Sequence, residues 1–308
     1  MAEYIVHKAI ELDKLSSKAK AALIDLDWVL SPKYDGCHAV FLFNDGQHVI
    51  TLSRSGEPVK SMAHIAEHLL ETYPALKDAG RVAICGEAWA LGLEFNEISG
   101  LFRRQYPAPE LWFVPFDCVP WDYGQLDTTP ILGQLNDAPY PTPYRTRLGA
   151  LVDGFTPLLG RQVIRPRFTP LHGDLSEVFE AATYEAKRLK ALTTGAYDGT
   201  VLARSAGTYQ VGSGKGGEFI KCKPLLSETV TVIGADLDKG AKTGKSTAAL
   251  LFELAGKVQK VSTGLTQQQV DEITAVGWVG KRIEVEAMGI TVNGYLREPR
   301  FKGIRNDA

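Results

Sequence analysis

The stretch SPKYDGCHAVFLF, residues 31–43, places a lysine and an aspartate one residue apart, directly before a glycine and an apolar run. A lysine is usually a solvated surface charge, whereas Lys33 stands at the end of an apolar, strand-like stretch. Two interpretations follow: Lys33 is either a solvent-exposed charge at the end of a strand or the nucleophile of an enzyme. A lysine before Asp35 and Gly36, taken alone, favours the first interpretation.

The bulk composition is that of an ordinary globular protein. The chain has 308 residues, enough for two domains, with 44% hydrophobic and 23% charged residues and a net charge of −2. The first residues have no apolar core and no small-residue cleavage site, so we expect no secretory signal, and no apolar run is long enough to cross a membrane. The four cysteines show no CxxC pairing, so we expect neither a zinc site nor disulfides, and a reducing cytoplasm.

The pattern of the first 224 residues predicts a mixture of strands and helices. Helices are expected over 14–26, over 61–73, near YRTRLGALV (144–152) and over 174–192, where Asp174 is a candidate cap. The run HAVFLFNDGQHVITLSR reads as a β-hairpin with its turn at Asn44-Asp45-Gly46. Apolar runs such as RVAICGEAWAL, LWFVPFDCVPW, GTVLARS and EFIKCKP read as strands.

The pattern of apolar and polar residues changes near Pro224. Strand-length runs (TVTVIGADL, AALLFELA, KVQKVS, RIEVEAMG) then alternate with glycine-containing turns, and one helical stretch, TQQQVDEI, interrupts them. Such a series predicts a small β-barrel, with an OB-fold as the leading candidate. The predicted fold class is therefore α+β, with a first domain over residues 1–224 and an OB-fold domain over 225–308.

Two glycine-rich segments resemble nucleotide-binding loops but lack the required context. GSGKGG (212–217) lies between two strands with no helix after it. GAKTGKST (240–247) is one residue short of a P-loop and lies in the β-rich tail, whereas a P-loop must open onto a helix N-terminus. We interpret the second segment as a basic turn of the barrel.

Other charged and aromatic residues end or interrupt predicted strands. Glu87 lies among apolar residues, an expensive place for an unpaired carboxylate. Lys221 and Lys223 project to the same face of a strand, since alternate residues do so. The full series, in chain order, is Lys33, Arg54, Glu87, Phe116, Asp198, Lys221 and Lys223.

In this order and spacing the chain resembles the covalent nucleotidyltransferases, and among them the small two-domain ATP-dependent DNA ligases of bacteriophages and bacteria. The resemblance runs from about residue 28 to the C-terminus. The KxDG motif is Lys33 to Gly36, the EG motif corresponds to Asp198-Gly199, and the KxK motif is Lys221 to Lys223. SGLFRR (99–104) and LREPRFKGIRND (296–307) are similar to further family segments.

The resemblance implies an enzyme that seals 3′-OH/5′-phosphate nicks in duplex DNA. Lys33 would attack the α-phosphate of ATP and carry AMP, with Arg54, Glu87, Phe116, Lys221 and Lys223 binding the nucleotide. Asp198, and Glu87 as a second ligand, would hold Mg²⁺ or Mn²⁺. An unperturbed lysine has a pKa near 10.4, so deprotonation at pH 7.5 costs roughly 4 kcal/mol. We therefore expect Lys221, Lys223, a bound divalent metal and partial burial to lower the pKa of Lys33.

Two positions depart from the family pattern. His38 stands where an arginine is frequent, and a neutral imidazole cannot replace a permanent bidentate cation. Asp198 stands where the family has glutamate, which keeps the charge and shortens its reach.

The nearly neutral C-terminal region concentrates its basic residues in two clusters. Residues 225–308 hold 11 Lys/Arg against 10 Asp/Glu. Nicked duplex DNA would be bound by His38 together with two clusters: Lys239, Lys242 and Lys245, and Arg297, Arg300, Lys302 and Arg305. With the nucleophile at residue 33, we expect no preceding DNA-binding domain, and a hinge near 223–228.

Two alternatives stay open at this stage. An RNA ligase or a capping-type guanylyltransferase would use the same scaffold, and a non-catalytic nucleic-acid-binding protein would have lost the chemistry. The resemblance also implies a monomer acting in DNA replication, repair or recombination, in the bacterial cytoplasm or an infected host cell.

Overall fold

The computed structural model describes residues 5–123, 130–135, 138–192, 196–213, 216–239, 246–291 and 293–305. The chain divides into two compact units, Met1–Lys223 and Pro224–Ala308. In the described residues the helices are α1 (Ser17–Ala21), α2 (Ala63–Thr72), α3 (Phe95–Phe102), α4 (Tyr144–Asp153), α5 (Leu175–Leu192) and α6 (Gln267–Val276), with 3₁₀ turns at Leu12–Lys14 and Pro74–Asp78. None of these helices has the length and apolar character needed to cross a bilayer.

The strands pair mostly in antiparallel fashion, which confirms the predicted α+β class. They are β1 (His7–Lys8), β2 (Ile10–Glu11), β3 (Leu26–Tyr34), β4 (Cys37–Asn44), β5 (Gln47–Ser53), β6 (Arg81–Trp89), β7 (Trp112–Tyr123), β8 (Pro130–Leu132), β9 (Gln134–Leu135), β10 (Ala138–Pro139), β11 (Thr169–Gly173), β12 (Tyr197–Arg204), β13 (Gly212–Ser213), β14 (Phe219–Cys222), β15 (Leu226–Lys239), β16 (Ser246–Leu254), β17 (Lys257–Val261), β18 (Arg282–Ala287) and β19 (Arg300–Ile304).

The first sheet, called sheet A, has the strand order β11-β3-β12-β14-β2. Its pairs are antiparallel except for β14 with β2, which run parallel. One face packs against α5, where Trp28 and Leu202 meet Val178 and Ala182 in a fully buried cluster. The apolar spacing of α5 predicts this buried stripe, and the helix matches the prediction over 174–192 to within a residue.

The second sheet, sheet B, has the strand order β5-β4-β6-β7-β8. Its strand β4, which lies between β5 and β6, is apolar without alternation because both faces are covered: Phe41 and Phe43 pack toward α2 and α3, and Val40 and Leu42 toward Tyr209. The hairpin turn between β4 and β5 is confirmed. Asp45 and Gly46 have φ of 45° and 73°, the left-handed values that a tight turn requires.

Helix α4 contacts both β7 of sheet B and β12 of sheet A. Tyr144 and Leu148 on this helix pack against Val29, Ala203 and Phe219 of sheet A. This face of sheet A therefore looks toward sheet B across α4, and the side chains of Lys33 and its neighbours project from it.

The second unit contains one five-stranded sheet, with the order β17-β16-β15-β18-β19. The long strand β15 pairs with β18 through its first half and with β16 through its second half, with a register shift between Val232 and Gly234. Helix α6 lies between β17 and β18 in the chain, as predicted. A parallel bridge joins Thr263 to Arg300 beside the two edge strands, where Phe301 N donates to Thr263 O at 2.8 Å.

The predicted helix over 14–26 is wrong for most of its length. Only Ser17–Ala21 is helical, capped by the Ser16 hydroxyl. Asp25 adopts a left-handed φ of 52°, and its backbone N–H donates to Asp174 Oδ1 at 2.8 Å. Pairing of β3 with β11 then begins at Leu26, so a long-range contact overrides the local helical pattern.

Candidate active site

Lys33 is part of a compact charged cluster built by three adjacent elements of sheet A. It lies near the end of β3, paired in register with Gly199 of β12. Its Nζ is 2.7 Å from Asp198 Oδ2, and Lys223 Nζ, one residue beyond β14, is 2.7 Å from the same oxygen. The Asp198 side chain is only 7% exposed, against 25% for Lys33 and 21% for Lys223. One buried carboxylate therefore holds two lysines together.

Two glycines allow neighbouring backbone segments to lie close together around this cluster. A Cβ on Gly36 would lie 2.1 Å from the carbonyl oxygen of Ala88, and one on Gly199 would lie 2.2 Å from that of Cys222. Gly199 also has a φ of 140°, which disfavours other residues. The glycines of the two sequence motifs are thus required where the backbone of one strand meets its neighbour.

Sheet B contributes Glu87, His38 and Phe116 to the same region. His38 and Glu87 are directly opposite in register on β4 and β6, so their side chains share a face. The rings of His38 and Phe116 meet edge to face with centroids 5.3 Å apart. Burial raises the pKa of Glu87 to about 7, while Lys33, acting across from sheet A, works to lower it. The structure thus brings the sheet-B residues into electrostatic contact with Lys33.

Without the divalent metal that the prediction also invoked, the protein's own residues do not lower the pKa of Lys33. Burial does act in that direction, but the carboxylates of Asp198 and Glu87 outweigh it and raise the pKa above its usual value. Burial acts to raise the pKa of Asp198, yet Lys33 and Lys223 outweigh it and hold that pKa below its ordinary value. The sequence showed the neighbouring lysines, whereas the ion pair to Asp198 depends on the pairing of β3 with β12.

His38 is a half-buried imidazole whose ring nitrogen Nε2 is shielded from solvent. Burial and the charge of Arg54 lower its pKa to about 3, and its Nε2 finds no hydrogen-bond partner among the described residues. The DNA contact predicted for His38 stays a prediction. The position supports the view that this residue does not replace a permanent cation.

Lys221 and Arg54 lie at the margins of the cluster. Lys221 is two residues before Lys223 and faces the same way; burial, with Lys223 and Lys33 adding to it, lowers its pKa to about 8, while Glu11 opposes this. Arg54 follows β5, is exposed, and acts electrostatically on Glu87 and His38. All seven residues of the predicted series except Arg54 are at least partly buried.

The sequence analysis did not predict the ion pair and the hydrogen bond that hold the backbone around Phe116. Asp117 and Arg147 form a buried bidentate ion pair, Nε to Oδ1 at 2.7 Å and Nη2 to Oδ2 at 3.0 Å. Tyr144, one helical turn before Arg147 on α4, donates its hydroxyl proton to Phe116 O at 3.0 Å. The sequence contains only a weak indication of this ion pair, since a single arginine in a short helix usually points to solvent.

The predicted DNA-binding residues of the second unit are spread along its strands. Lys239 ends β15 and is exposed, whereas Lys242 and Lys245 lie outside the described residues. Lys302 Nζ is 2.9 Å from Glu286 Oε2, and Arg305 Nη2 is 3.0 Å from Glu284 Oε2. Arg297 and Arg300 are half-buried. Two of the predicted cations are therefore paired with carboxylates of the neighbouring strand β18.

No group of three or more His, Cys, Asp or Glu side chains in the described residues is arranged to hold a metal ion. The donors near Lys33 are carboxylate oxygens, of Asp198 and Glu87, which are the ligand type that Mg²⁺ prefers. Mg²⁺ commonly takes one or two carboxylates and completes its shell with water and substrate phosphates. The residues present fit a metal held in that way.

Solved structures share this fold over nearly the whole chain. The structure Pmar-Lig_Pre. superposes with a TM-score of 0.74 at 18% identity, covering 99% of this chain and 68% of its own. Pmar-Lig_PreS3 gives 0.75 at 16% identity, covering 100% and 69%. A Lig E DNA ligase, from work on DNA binding with a minimal scaffold, gives 0.64 at 20% identity, covering 97% and 99%. No family model and no curated protein matches the sequence.

These similarities confirm the predicted resemblance to DNA ligases at the level of the fold. At such identities the fold is shared, and the activity has to be argued from the residues of the site.

Proposed function

We propose that the protein is an ATP-dependent DNA ligase that seals nicks through a lysyl-AMP intermediate on Lys33. The observation that carries the proposal is the cluster of Lys33, Asp198 and Lys223 in a fold shared with DNA ligases. A partly buried lysine held beside a second lysine and a buried carboxylate is an expensive arrangement for stability alone. Such groups are typical of functional sites.

In the first step, the Lys33 ammonium would release a proton to solvent, and its neutral Nζ would attack the α-phosphate of ATP. The Nζ–P bond forms, the bond from that phosphorus to the bridging oxygen breaks, and pyrophosphate leaves. Lys223 and Lys221 would stabilise the negative charge on the reacting phosphate. Phe116 would stack on adenine. Glu87 has two alternative roles, binding the ribose hydroxyls or joining Asp198 as a metal ligand.

Asp198 and Glu87 are the residues that would hold Mg²⁺ with the nucleotide phosphates. The ion, when bound, supplies Lewis-acid stabilisation of phosphate charge. Asp198 also orients Lys33 and Lys223 through its shared oxygen, which places the amine of Lys33 next to the cations that receive the phosphate.

In the later steps, AMP would pass from Lys33 to the 5′-phosphate of a nick, and the 3′-hydroxyl would displace it. We propose residues 1–224 as the adenylation domain and 225–308 as an OB-fold domain. The OB-fold is supported by the strand order of the second unit, by the helix between its third and fourth strands, and by the Thr263–Arg300 bridge. We further propose a monomer that works in the cytoplasm, which the four free thiols favour.

The proposal is tested by the intact mass of the purified protein after incubation with ATP and Mg²⁺. We expect an increment of one AMP, lost when a nicked DNA duplex is added, with a sealed strand as product. GTP and a nicked RNA duplex are the comparison arms. Labelling by GTP would indicate a capping-type enzyme, discharge by RNA alone would indicate an RNA ligase, and no adduct with either nucleotide would refute the proposal.

Glu284→Gln with Glu286→Gln is expected to tighten the binding of nicked DNA several-fold at low salt. The two carboxylates now pair with Arg305 and Lys302, so their removal adds two net positive charges beside the proposed DNA contacts. The measurement is fluorescence anisotropy at several salt concentrations, where the affinity should also fall more steeply with salt.

The matched control for this pair is Glu253→Gln with Asp271→Asn. It removes two carboxylates from other parts of the second unit, on β16 and α6. An equal gain in affinity from both double variants would show that only net charge matters and would remove Lys302 and Arg305 from the proposed DNA contacts.

A further inference from the structure

A basic cleft opens at the edge of sheet A, beside the proposed active site. It has a volume of about 400 Å³ and is formed by β2, the turn that follows it and the neighbouring strand β14. Lys8, Lys14 and Lys221 line it together with one acid, Glu11. None of the roles assigned above uses Lys8, Glu11 or Lys14.

The cleft and the Lys33 cluster lie on the same face of sheet A, and Lys221 is common to both. Lys221 is paired in register with Glu11 on one side and with Val201 on the other, and Val201 is paired with Ser31. Paired residues share a face, and Lys33 lies two positions after Ser31, so it shares that face too. Lys221 and Lys223 are two residues apart, about 7 Å along the strand. If the α-phosphate of ATP lies at Lys33 and Lys223, the following phosphates can therefore extend along this face toward the lysines of the cleft.

The charges of the cleft suit a polyanion. Its three lysines outnumber its single carboxylate, and Lys14 Nζ already lies 2.7 Å from Glu11 Oε2. Lys14 is exposed and can turn toward a ligand, while Lys221 is half-buried. Partly enclosed positive charge attracts anions more strongly than the same charge on an open surface.

We propose that this cleft binds the β- and γ-phosphates of ATP and holds the pyrophosphate that leaves Lys33. The proposal rests on the proposed function and names the site for the leaving group. The lysines of the cleft are suited to bind phosphate groups. ATP and DNA both carry such groups. The nucleotide tail is favoured because the cleft shares a sheet face with Lys33 and joins it through Lys221.

The first test measures binding of inorganic pyrophosphate to the unmodified protein by titration calorimetry. Lys8→Ala with Lys14→Ala is expected to weaken binding about tenfold or more, since each charge-assisted contact is worth about a factor of ten. Glu11→Gln is expected to tighten binding, because it removes the only acid of the cleft. Opposite shifts from these two variants are difficult to produce by a general loss of folding.

The second test measures self-adenylylation. The double lysine variant should raise the KM for ATP about tenfold, and should raise by a similar factor the pyrophosphate concentration that gives half the maximal rate of adduct reversal. The kcat at saturating ATP and the affinity for nicked DNA should change less than threefold. Lys18→Ala with Lys187→Ala removes two exposed lysines outside the cleft and is the matched control.

Three results would overturn the proposal. These are unchanged pyrophosphate binding in the double variant, an equal loss in the control, or a loss confined to DNA affinity, which would assign the cleft to DNA. If the double variant does not fold, Lys14→Gln and Glu11→Gln decide by the sign of their shifts. Pyrophosphate binding through the cleft without any AMP adduct would instead refute the proposed function and leave the cleft as an anion site.

Discussion

Lys33→Ala and Lys33→Arg are both expected to lose the covalent AMP adduct, by a factor of at least about 10⁴ relative to the native protein. Alanine removes the nucleophile. Arginine keeps the positive charge beside Asp198, but a guanidinium stays protonated at every accessible pH and offers no free electron pair. The measurement is the intact mass after incubation with ATP and Mg²⁺.

The pair of variants separates chemistry from structure. Lys33→Arg should melt close to the native protein, because Asp198 keeps two cationic partners. Lys18→Ala, on the exposed helix α1, should form the adduct at the native rate. A full AMP increment in Lys33→Ala would show that another residue is the nucleophile.

Asp117→Ala is expected to lower the free energy of unfolding of the first unit by about 3–5 kcal/mol. The side chains of Asp117 and Arg147 are 3% and 1% exposed. The substitution therefore leaves a buried guanidinium without its carboxylate partner and out of reach of water. Arg147 would keep its bond to the carbonyl oxygen of Gly207, at 3.2 Å, but would lose both contacts to the carboxylate. Urea unfolding followed by tryptophan fluorescence measures the change.

Two further variants show whether burial is the cause. Arg188→Ala breaks the exposed pair with Glu185 on α5 and should change stability much less. Replacing both Asp117 and Arg147 by leucine should destabilise less than Asp117→Ala, because no unpaired charge remains. A loss below about 1 kcal/mol for Asp117→Ala would contradict the ion pair as a stabilising contact of the α4–β7 interface.

Local patterns predicted much of the fold correctly. The 3.6-residue periodicity identified α2, α5 and α6, and Asp45-Gly46 identified the hairpin, because these features depend on neighbours in the chain. Helix α3 (Phe95–Phe102) was missed: it begins at Glu94, whose N–H is bound by the Glu97 side chain, rather than at a serine, threonine or aspartate.

The residues of the proposed site were also named from the sequence, although their interactions were not. The order of Lys33, Glu87, Asp198 and the two late lysines predicted that they lie in one place, and the structure places them around the same cluster. The protein's own residues raise the pKa of Lys33 above its usual value, because its closest charged neighbour is a carboxylate contributed by a strand 165 residues later in the chain.

What the sequence determined by itself was the set of chemical groups and the elements that carry them, since propensity, periodicity and glycine requirements act over a few residues. Only the tertiary structure decided which groups meet. The shared oxygen of Asp198, the buried pair of Asp117 with Arg147, and the cleft between β2 and β14 all join segments far apart in the chain. Their energies depend on burial, because removing water strengthens each charge interaction and makes each unpaired charge costly.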